Sequence, residues 1–370
     1  MENRKKYLAS VRNVVVKLGT QLLSDGHKRL DTTFLKEMAR QVVRLREQGI
    51  HVTIVSSGAV GAGLAELNLS KRPTNLAQLQ AVAAVGQRRL MDAWGEAFEA
   101  YGLPVAQLLL TRDDIDNRTR FLNLRNTISA IQELGGVPII NENDTVSTDE
   151  IVKITFGDND ILAALVTEAL GADLLVLLTV VDGLLDRASK PVRLVNSVEQ
   201  AQALVRSEKS AAGKGGMDSK LRAADMVTEC GQAMVVANGR SKSVLLSILS
   251  FELVGTLFVP YPKKRTARTR WIGSARPVGA VVVDDGAVTA VVKKNRSLLP
   301  AGVVSVEGLF EQGDLIAIKA PDGRMIARGL SNYSSAGVEQ VLGKKTSEVR
   351  SLLGKAAYDE VIHRNNMVVE

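Results

Sequence analysis

Short apolar runs alternate with longer segments of mixed polarity along roughly the first 258 residues of the chain. Runs of this length are typical of buried strands, and they cover residues 14–17, 51–55, 105–110, 137–140, 174–178 and 234–237. The segments between them repeat apolar residues every three or four positions, as amphipathic helices do, most clearly over 32–48, 75–100 and 118–134. Continuous apolar strands between helices predict an α/β fold with an open, mostly parallel sheet sandwiched by helices.

The pattern changes after Pro260. A basic stretch follows, and from Val278 onward short strands separated by glycine turns dominate. The change predicts a second, small β-rich domain. The expected organisation is a larger α/β domain, a basic linker and the small domain, covering residues 1–260, 261–277 and 278–370 respectively.

Two dipeptides in the small domain have the composition of tight hairpin turns. Asp285-Gly286 and Asp322-Gly323 each lie between apolar runs, and Asp-Gly favours the backbone conformation that a two-residue hairpin needs. Both are therefore predicted to join antiparallel strands. One or two short helices are expected between residues 334 and 353.

Composition restricts the possible chemistry of the protein more than it restricts the possible folds. The chain has 370 residues, one cysteine and three scattered histidines, which disfavours a disulfide framework, a cysteine metal site and Ser/His/Asp hydrolysis. The net charge of +7 is unevenly distributed: residues 261–300 hold nine basic and two acidic side chains, whereas residues 141–160 hold six carboxylates and one lysine. Phosphoryl transfer suits this inventory, because it depends on positioning and charge neutralisation rather than on covalent help.

Residues 213–220, Gly-Lys-Gly-Gly-Met-Asp-Ser-Lys, precede a predicted helix. Glycines let backbone N–H groups converge on one anion, and the start of a helix adds its positive dipole end. Lys214 and Lys220 add full charges, so the segment is equipped to hold a polyphosphate. The spacing differs from that of the P-loop, and a surface loop followed by a capped helix is the alternative interpretation.

Two further segments follow predicted strands directly. Lys17 ends the first strand and is followed by Gly19, which places an ammonium group at the carboxyl edge of the sheet. The alternative interpretation is that the Lys17 side chain only extends along the strand end to reach water. Residues 56–63, Ser-Ser-Gly-Ala-Val-Gly-Ala-Gly, follow the second strand and would let a ligand approach the backbone. Close packing of a helix would also favour such small residues.

Two clusters of amides and carboxylates complete the candidate site. Residues 141–144 (Asn-Glu-Asn-Asp) end one strand, and residues 157–160 (Gly-Asp-Asn-Asp) precede a helix. Together they could bind a substrate ammonium group or hold Mg²⁺ through water, although each could also be a simple helix cap. Residues 179–186 follow another strand and are placed to contact a nucleotide; a turn closed by Asp182-Gly183 explains them equally well.

With these residues in view, the chain resembles the amino acid kinase superfamily, and within it the members that phosphorylate glutamate. The tail from about Val278 resembles a PUA domain. Two positions depart from the pattern of many relatives, because Val180 and Leu185 stand where an aspartate and an aromatic residue are usual. The resemblance is carried by segments at 16–20, 56–59, 110–113, 141–144, 157–160 and 213–220.

The resemblance implies a reaction: ATP phosphorylates the side-chain carboxylate of L-glutamate, in the first step of proline biosynthesis. It also implies roles. Lys17 and Lys220 would contact the phosphates as catalytic residues, with Asp158 and Asp160 orienting the lysines or Mg²⁺. A general base is not required, because the nucleophile is already a carboxylate.

The binding residues are likewise implied by the resemblance. Ser57, Gly58, Asp144 and Asn159 would hold glutamate, with Asp144 facing its ammonium group. The ATP-binding set would be Lys17, Thr179, Val180, Lys214, Gly215, Gly216, Met217 and Lys220. Metal ligands are not assigned, and Mg²⁺ is expected to arrive with ATP.

The resemblance further implies proline as a feedback inhibitor and a homo-oligomer. The absence of a signal core and of a long apolar run predicts a cytoplasmic protein without a membrane partner. One alternative is a sister kinase of another carboxylate or carbamate substrate. A second is RNA binding through the basic stretch and the PUA-like tail, but aromatic residues make up only 4% of the chain and offer few stacking platforms.

Overall fold

The computed structural model describes most of the chain and divides it into two units. The described residues are 2–25, 29–146, 159–186, 190–205, 216–261, 271–273, 275–353 and 358–370. The units comprise Met1–Lys264 and Arg265–Glu370. Much of the predicted basic linker (261–277) lies outside the described residues, so its limits stay a prediction.

The first unit is built on an eight-stranded sheet, which confirms the predicted α/β class. The strand order is β3-β4-β2-β1-β5-β7-β8-β6. Every adjacent pair is parallel except β7 and β8, which run antiparallel. The strands are β1 (Asn13–Leu18), β2 (His51–Val55), β3 (Val105–Leu110), β4 (Val137–Glu142), β5 (Leu174–Thr179), β6 (Leu194–Val195), β7 (Ala233–Asn238) and β8 (Thr256–Phe258).

Helices cover the sheet, and their ends follow the capping residues in the sequence. In α2 the Asp31 carboxylate accepts a hydrogen bond from the Phe34 N–H at 2.9 Å, and in α4 the Asn75 side chain accepts one from the Gln78 N–H at 3.1 Å. Such caps satisfy N–H groups that the first helical turn leaves unpaired. The helices are α1 (Glu2–Leu8), α2 (Thr32–Glu47), α3 (Ala59–Glu66), α4 (Leu76–Glu99), α5 (Arg112–Asp116), α6 (Arg118–Glu133), α7 (Asn159–Leu170), α8 (Val198–Val205), α9 (Gly216–Glu229) and α10 (Val244–Leu249).

The central strands are buried along their length, which explains their unbroken apolar sequence. In β1 and β5 the residues from Val14 to Leu18 and from Leu174 to Leu178 are buried. The core between sheet and helices includes Trp94 and Phe98 of α4, whose rings stack with centroids 6.0 Å apart. Removing this apolar surface from water is the main stabilising term of such a layer.

Helices α3 and α4 approach each other unusually closely, and two glycines allow it. A Cβ atom at Gly63 would lie 1.9 Å from the Val82 carbonyl oxygen, and one at Gly86 would lie 1.8 Å from the Ala59 carbonyl oxygen. Larger side chains could not be accommodated without moving backbone. Packing therefore accounts for Gly63 at the end of the small-residue segment 56–63.

The second unit contains a five-stranded sheet of order β10-β9-β11-β12-β13. Its β9–β11 pair is parallel and the other pairs are antiparallel. The predicted hairpin at Asp322-Gly323 is confirmed: it joins β11 to β12, and Gly323 has the left-handed φ of +82° that its turn requires. The strands are β9 (Gly279–Val283), β10 (Val303–Glu307), β11 (Leu315–Lys319), β12 (Met325–Leu330) and β13 (Met367–Val369), and the longer helices are Ser335–Val341 and Thr346–Leu353.

The hairpin predicted at Asp285-Gly286 is wrong. A short α-helix (Asp285–Val288) starts there and continues into a π-helix (Thr289–Lys293). The reason is local: the Asp284 carboxylate accepts a hydrogen bond from the Ala287 N–H at 2.7 Å and caps the helix. The segment then buries Val291 completely in the core of the unit.

Candidate active site

A buried carboxylate lies between two lysines at the carboxyl edge of the larger sheet. Lys17 Nζ is 2.7 Å from Asp160 Oδ1, and Lys220 Nζ is 2.8 Å from Asp160 Oδ2. The Asp160 side chain is 1% exposed, and those of Lys17 and Lys220 are 9% and 12% exposed. Ser219 donates a further hydrogen bond to Asp160 Oδ2 at 3.1 Å. Residues 203 positions apart in the chain thus meet at one carboxylate.

Asp160 remains ionised in this environment. Burial alone would raise the pKa of its carboxyl group, but the positive charges of Lys17 and Lys220 and their hydrogen bonds outweigh burial and hold the pKa below its ordinary value. The cluster therefore joins two ammonium groups to one ionised carboxylate.

The topology explains why these residues meet. Lys17 lies near the end of β1, at the centre of the sheet, while Asp160 and Lys220 lie in the first turns of α7 and α9. The N–H of Gly19 donates to the Leu178 carbonyl at 3.1 Å, which ties the segment after Lys17 to the end of β5. Carboxyl ends of parallel strands and amino ends of the following helices share one edge, where open α/β sheets bind ligands.

A cavity of about 330 Å³ opens beside this cluster. The four residues predicted to hold the substrate, Ser57, Gly58, Asp144 and Asn159, all line it together with Lys17. Thus the structure brings the substrate-side set together around one space. The other lining residues are Thr20, Ala59, Val60, Gly61, Leu64, Arg72, Asn141 and Glu142.

A chain of amides fixes one wall of the cavity. The Asn159 side-chain NH₂ donates to Ser57 Oγ at 2.8 Å and to Asn141 Oδ1 at 3.1 Å. Asn141 in turn donates to Gln87 Oε1 at 2.8 Å. These bonds orient Asn159 so that its Oδ1 is buried without a hydrogen-bond partner among the described residues.

Gly58 serves a different purpose from Gly63 in the same small-residue segment. It is the N-cap of α3, has a φ of +97°, and leaves the start of the helix without a side-chain cap. The first N–H groups of α3 therefore remain available beside the cavity that Gly58, Ala59 and Val60 line. Helix packing explains Gly63 at one end of this segment, whereas Gly58 at the other end lies beside the cavity.

Several residues in or beside the site were not predicted from the sequence. Gln87 lies on the buried face of α4, where a polar residue among apolar ones is the signal that could have revealed it. Arg72 lies between α3 and α4 in a polar loop without a distinctive motif. Ser219 was part of the phosphate-loop segment but was given no role.

Only part of the predicted ATP-binding set lies within the described residues. Thr179 ends β5, and its carbonyl accepts a hydrogen bond from the Gly239 N–H at 2.8 Å. Val180 follows it with 44% of its surface exposed. Gly216 and Met217 begin α9, in the same first turn as Lys220. Lys214, Gly215 and Asp158 of the predicted set lie outside the described residues.

This arrangement defines a class of protein. At the carboxyl edge of a mostly parallel α/β sheet, Lys17 of β1 and Lys220 of α9 meet beside a polar cavity, an arrangement suited to holding an anionic group such as a phosphate. The sequence matches the model of the amino acid kinase family over residues 12–238 and that of the PUA domain over residues 279–353. The chain belongs to the amino acid kinase family.

Relatives over the whole chain narrow the family further. A glutamate 5-kinase of Geobacter sp. (strain M21) is 44% identical over 374 residues, covering 99% of this chain and all of the relative. A glutamate 5-kinase of Herpetosiphon aurantiacus is 46% identical over 96% of this chain and 97% of the relative. Within the amino acid kinases, the chain is thus a member of the glutamate 5-kinase family. A solved carbamate kinase of Giardia lamblia bound to AMP-PNP is 18% identical with a TM-score of 0.48, over 68% of this chain and all of that one.

Proposed function

We propose that this protein transfers the γ-phosphoryl group of ATP to the side-chain carboxylate of L-glutamate, giving L-glutamyl 5-phosphate, the first step of proline biosynthesis. The observation that carries the proposal is the pair of lysines on one buried carboxylate beside the cavity. Lys17 belongs to both the lysine cluster and the cavity lining. It therefore lies where a carboxylate in the cavity and a phosphoryl group at the cluster would meet.

In the cavity, the ammonium group of glutamate is assigned to Asp144, with the Asn159 side chain on the same cavity lining. The carboxylate supplies the charge opposite to that of the ammonium group. The reacting carboxylate is assigned to the Lys17 side, with Ser57 Oγ as a further donor. These assignments are supported by the common cavity of the four residues.

The phosphates are assigned to Lys17, Lys220 and the start of α9. The first N–H groups of α9, from Gly216 and Met217, and the helix dipole favour negative charge there. Thr179 and Val180 would lie along the nucleotide at the end of β5. Lys214 and Gly215 remain predictions from the sequence motif.

The transfer step needs charge stabilisation rather than proton transfer. An oxygen of the glutamate carboxylate forms the new bond to phosphorus, the bond from phosphorus to the β,γ-bridging oxygen breaks, and ADP leaves with that electron pair. Lys17 and Lys220 stabilise the charge on the transferring group. Asp160 holds both ammonium groups toward one place and remains ionised while doing so.

Mg²⁺ is proposed to accompany ATP, held by the phosphates and water. The described residues contain no group of three or more His, Cys, Asp or Glu that could form a protein metal site. Both oxygens of Asp160 already face lysines. The ion is therefore assigned no side-chain ligand among the described residues.

Further expectations rest on the sequence and on family likeness. Feedback inhibition by proline, a homo-oligomer and a cytoplasmic location stay proposals, as does RNA binding by the PUA domain. None of the helices in the described part of the chain combines the length and apolar character that a membrane crossing needs.

A coupled assay of ADP release with L-glutamate and Mg-ATP, together with hydroxylamine trapping of the acyl phosphate, tests the function. We expect turnover with glutamate and little with N-acetylglutamate, aspartate, carbamate or a nucleoside monophosphate. A folded protein that releases ADP only with one of the other acceptors would replace glutamate as the substrate. Lack of turnover with every acceptor would overturn the kinase assignment.

A further inference from the structure

The roles proposed above do not account for every charged side chain around the cavity. Among the described residues that line it, the positively charged side chains are Lys17 and Arg72, and the negatively charged ones are Glu142 and Asp144. Free glutamate carries two carboxylates and one ammonium group. Asp144 can match the ammonium group, but Lys17 can match only one of the two carboxylates.

The two positively charged side chains differ in how deeply they are buried. Lys17 is buried and contacts Asp160. It therefore belongs to the place where the phosphoryl group would be transferred. Arg72 is exposed on the loop between α3 and α4, and no sequence motif pointed to it. A substrate that reaches Lys17 with its reacting carboxylate would leave its other carboxylate for another part of the cavity lining.

We propose that Arg72 binds the α-carboxylate of the substrate and thereby selects a free α-amino acid over smaller or amidated carboxylates. This inference rests on the proposed function, because it presupposes that glutamate occupies the cavity. The planar guanidinium can donate two parallel hydrogen bonds to a carboxylate. The uncapped start of α3 at Gly58 offers N–H donors to the same group.

The loop that carries Arg72 is anchored at both ends. Gly63 and Gly86 hold α3 and α4 in close contact on either side of it. Asn75 caps α4 three residues after Arg72. Helix packing therefore limits where the backbone of Arg72 can lie relative to the start of α3, and Arg72 lines the cavity.

Variants of Arg72 with two substrates test this role. Arg72→Met should raise KM for L-glutamate by about 10- to 100-fold, the loss expected for hydrogen bonds to a charged group, and leave KM for ATP unchanged. The probe substrate is L-isoglutamine, whose α-carboxylate is an amide while its side-chain carboxylate is intact. The wild-type enzyme should prefer glutamate in kcat/KM, and Arg72→Met should lose most of that preference. Arg72→Lys should retain part of it.

The matched control is Lys71→Met, which removes the neighbouring exposed cation that does not line the cavity. It should leave both KM values and the preference for glutamate unchanged. An Arg72→Met variant with an unchanged KM for glutamate would overturn the proposal. So would an equal loss toward glutamate and isoglutamine, since a purely structural role predicts that result.

Calorimetric titration with L-glutamate separates this proposal from the kinase assignment. If the wild-type protein binds glutamate and Arg72→Met binds it at least about tenfold more weakly, the role of Arg72 is supported whatever the turnover. Equal Kd values, or no binding to either protein, would overturn it. Failure of the wild-type protein to turn over any acceptor would instead overturn the proposed function.

Discussion

Ion pairs of similar length occur in both units of the chain but in different surroundings. Lys17 and Asp160 of the first unit are 2.7 Å apart, with side chains 9% and 1% exposed. Lys319 and Glu307 of the second unit are 2.5 Å apart, with side chains 32% and 48% exposed. Water screens the second pair, so its net contribution to stability is small.

The buried cluster cannot be explained by stability in the same way. Desolvating its charges opposes folding, and an apolar replacement of a buried ion pair is often neutral or stabilising. Distance therefore does not distinguish the two ion pairs, whereas burial does.

Among the substitutions that test this contrast, Asp160→Asn is expected to change kcat and the free energy of unfolding most. The substitution leaves Lys17 and Lys220 without their carboxylate, so kcat should fall by at least about 100-fold and the free energy of unfolding by about 3–5 kcal/mol. Steady-state kinetics and urea denaturation measure the two losses. A variant within fivefold of the wild-type kcat would show that Asp160 does not organise the lysines.

Lys17→Ala and Lys220→Ala should each lower kcat on the order of 100-fold, if each stabilises charge in the transition state. The loss of stability should be smaller than for Asp160→Asn, because each leaves one lysine paired with the carboxylate. Single-turnover kinetics with saturating ATP and glutamate measure the chemical step directly. A rise in KM for ATP without a change in kcat would assign the lysine to binding alone.

Asp144→Asn should act mainly on the substrate. Replacing the carboxylate that faces the ammonium group with a neutral amide should raise KM for glutamate by about tenfold, with a smaller change in kcat and in KM for ATP. Measuring KM for both substrates checks the selectivity. An unchanged KM for glutamate would contradict the role of Asp144.

The pH dependence of stability should reveal the low pKa of Asp160. A depressed folded-state pKa means that the stabilisation is fully present above the ordinary carboxyl pKa of about 3.9 and is lost as the pH falls through the folded-state value. The difference in unfolding free energy between wild type and Asp160→Asn should thus be constant from about pH 5 upward and shrink in stronger acid. Urea denaturation at several pH values measures it; a difference that already falls between pH 7 and pH 5 would contradict the direction of the shift.

Lys319→Met should have the smallest effect. Loss of the exposed pair with Glu307 should change the free energy of unfolding by no more than about 1 kcal/mol and leave kcat unchanged. Denaturation at low and high salt measures it, because salt screens whatever the pair contributes. A loss as large as that of Asp160→Asn would erase the contrast between the two ion pairs.

The agreement between sequence and structure varies with how local the signal is. Apolar runs such as the one at 174–178 predicted strands correctly, because burial on both faces of a parallel sheet demands them. Asp322-Gly323 formed its predicted hairpin, but Asp285-Gly286 did not. In the second case Asp284 was free to cap a helix and Val291 had a core position to fill.

The candidate site shows the same division. Lys17 and Asp144 could be singled out because each follows a predicted strand, and such positions share one edge in a parallel sheet. Gln87 and Arg72 could not, since one lies within a long helix and the other in a loop without a motif. Their relevance depends on α4 and on the loop before it lying beside the cavity, which is a matter of packing.

The sequence by itself determined the kind of sheet, the residue types at the ends of its strands, and hence a chemistry based on lysine, carboxylate and amide groups. Only the tertiary structure decided that Lys17 and Lys220 face the two oxygens of one carboxylate. The lateral strand order, with β1 between β2 and β5, sets which strand ends are neighbours. That order follows from how helices pack on the two faces, and the apolar pattern of a single strand contains no record of it.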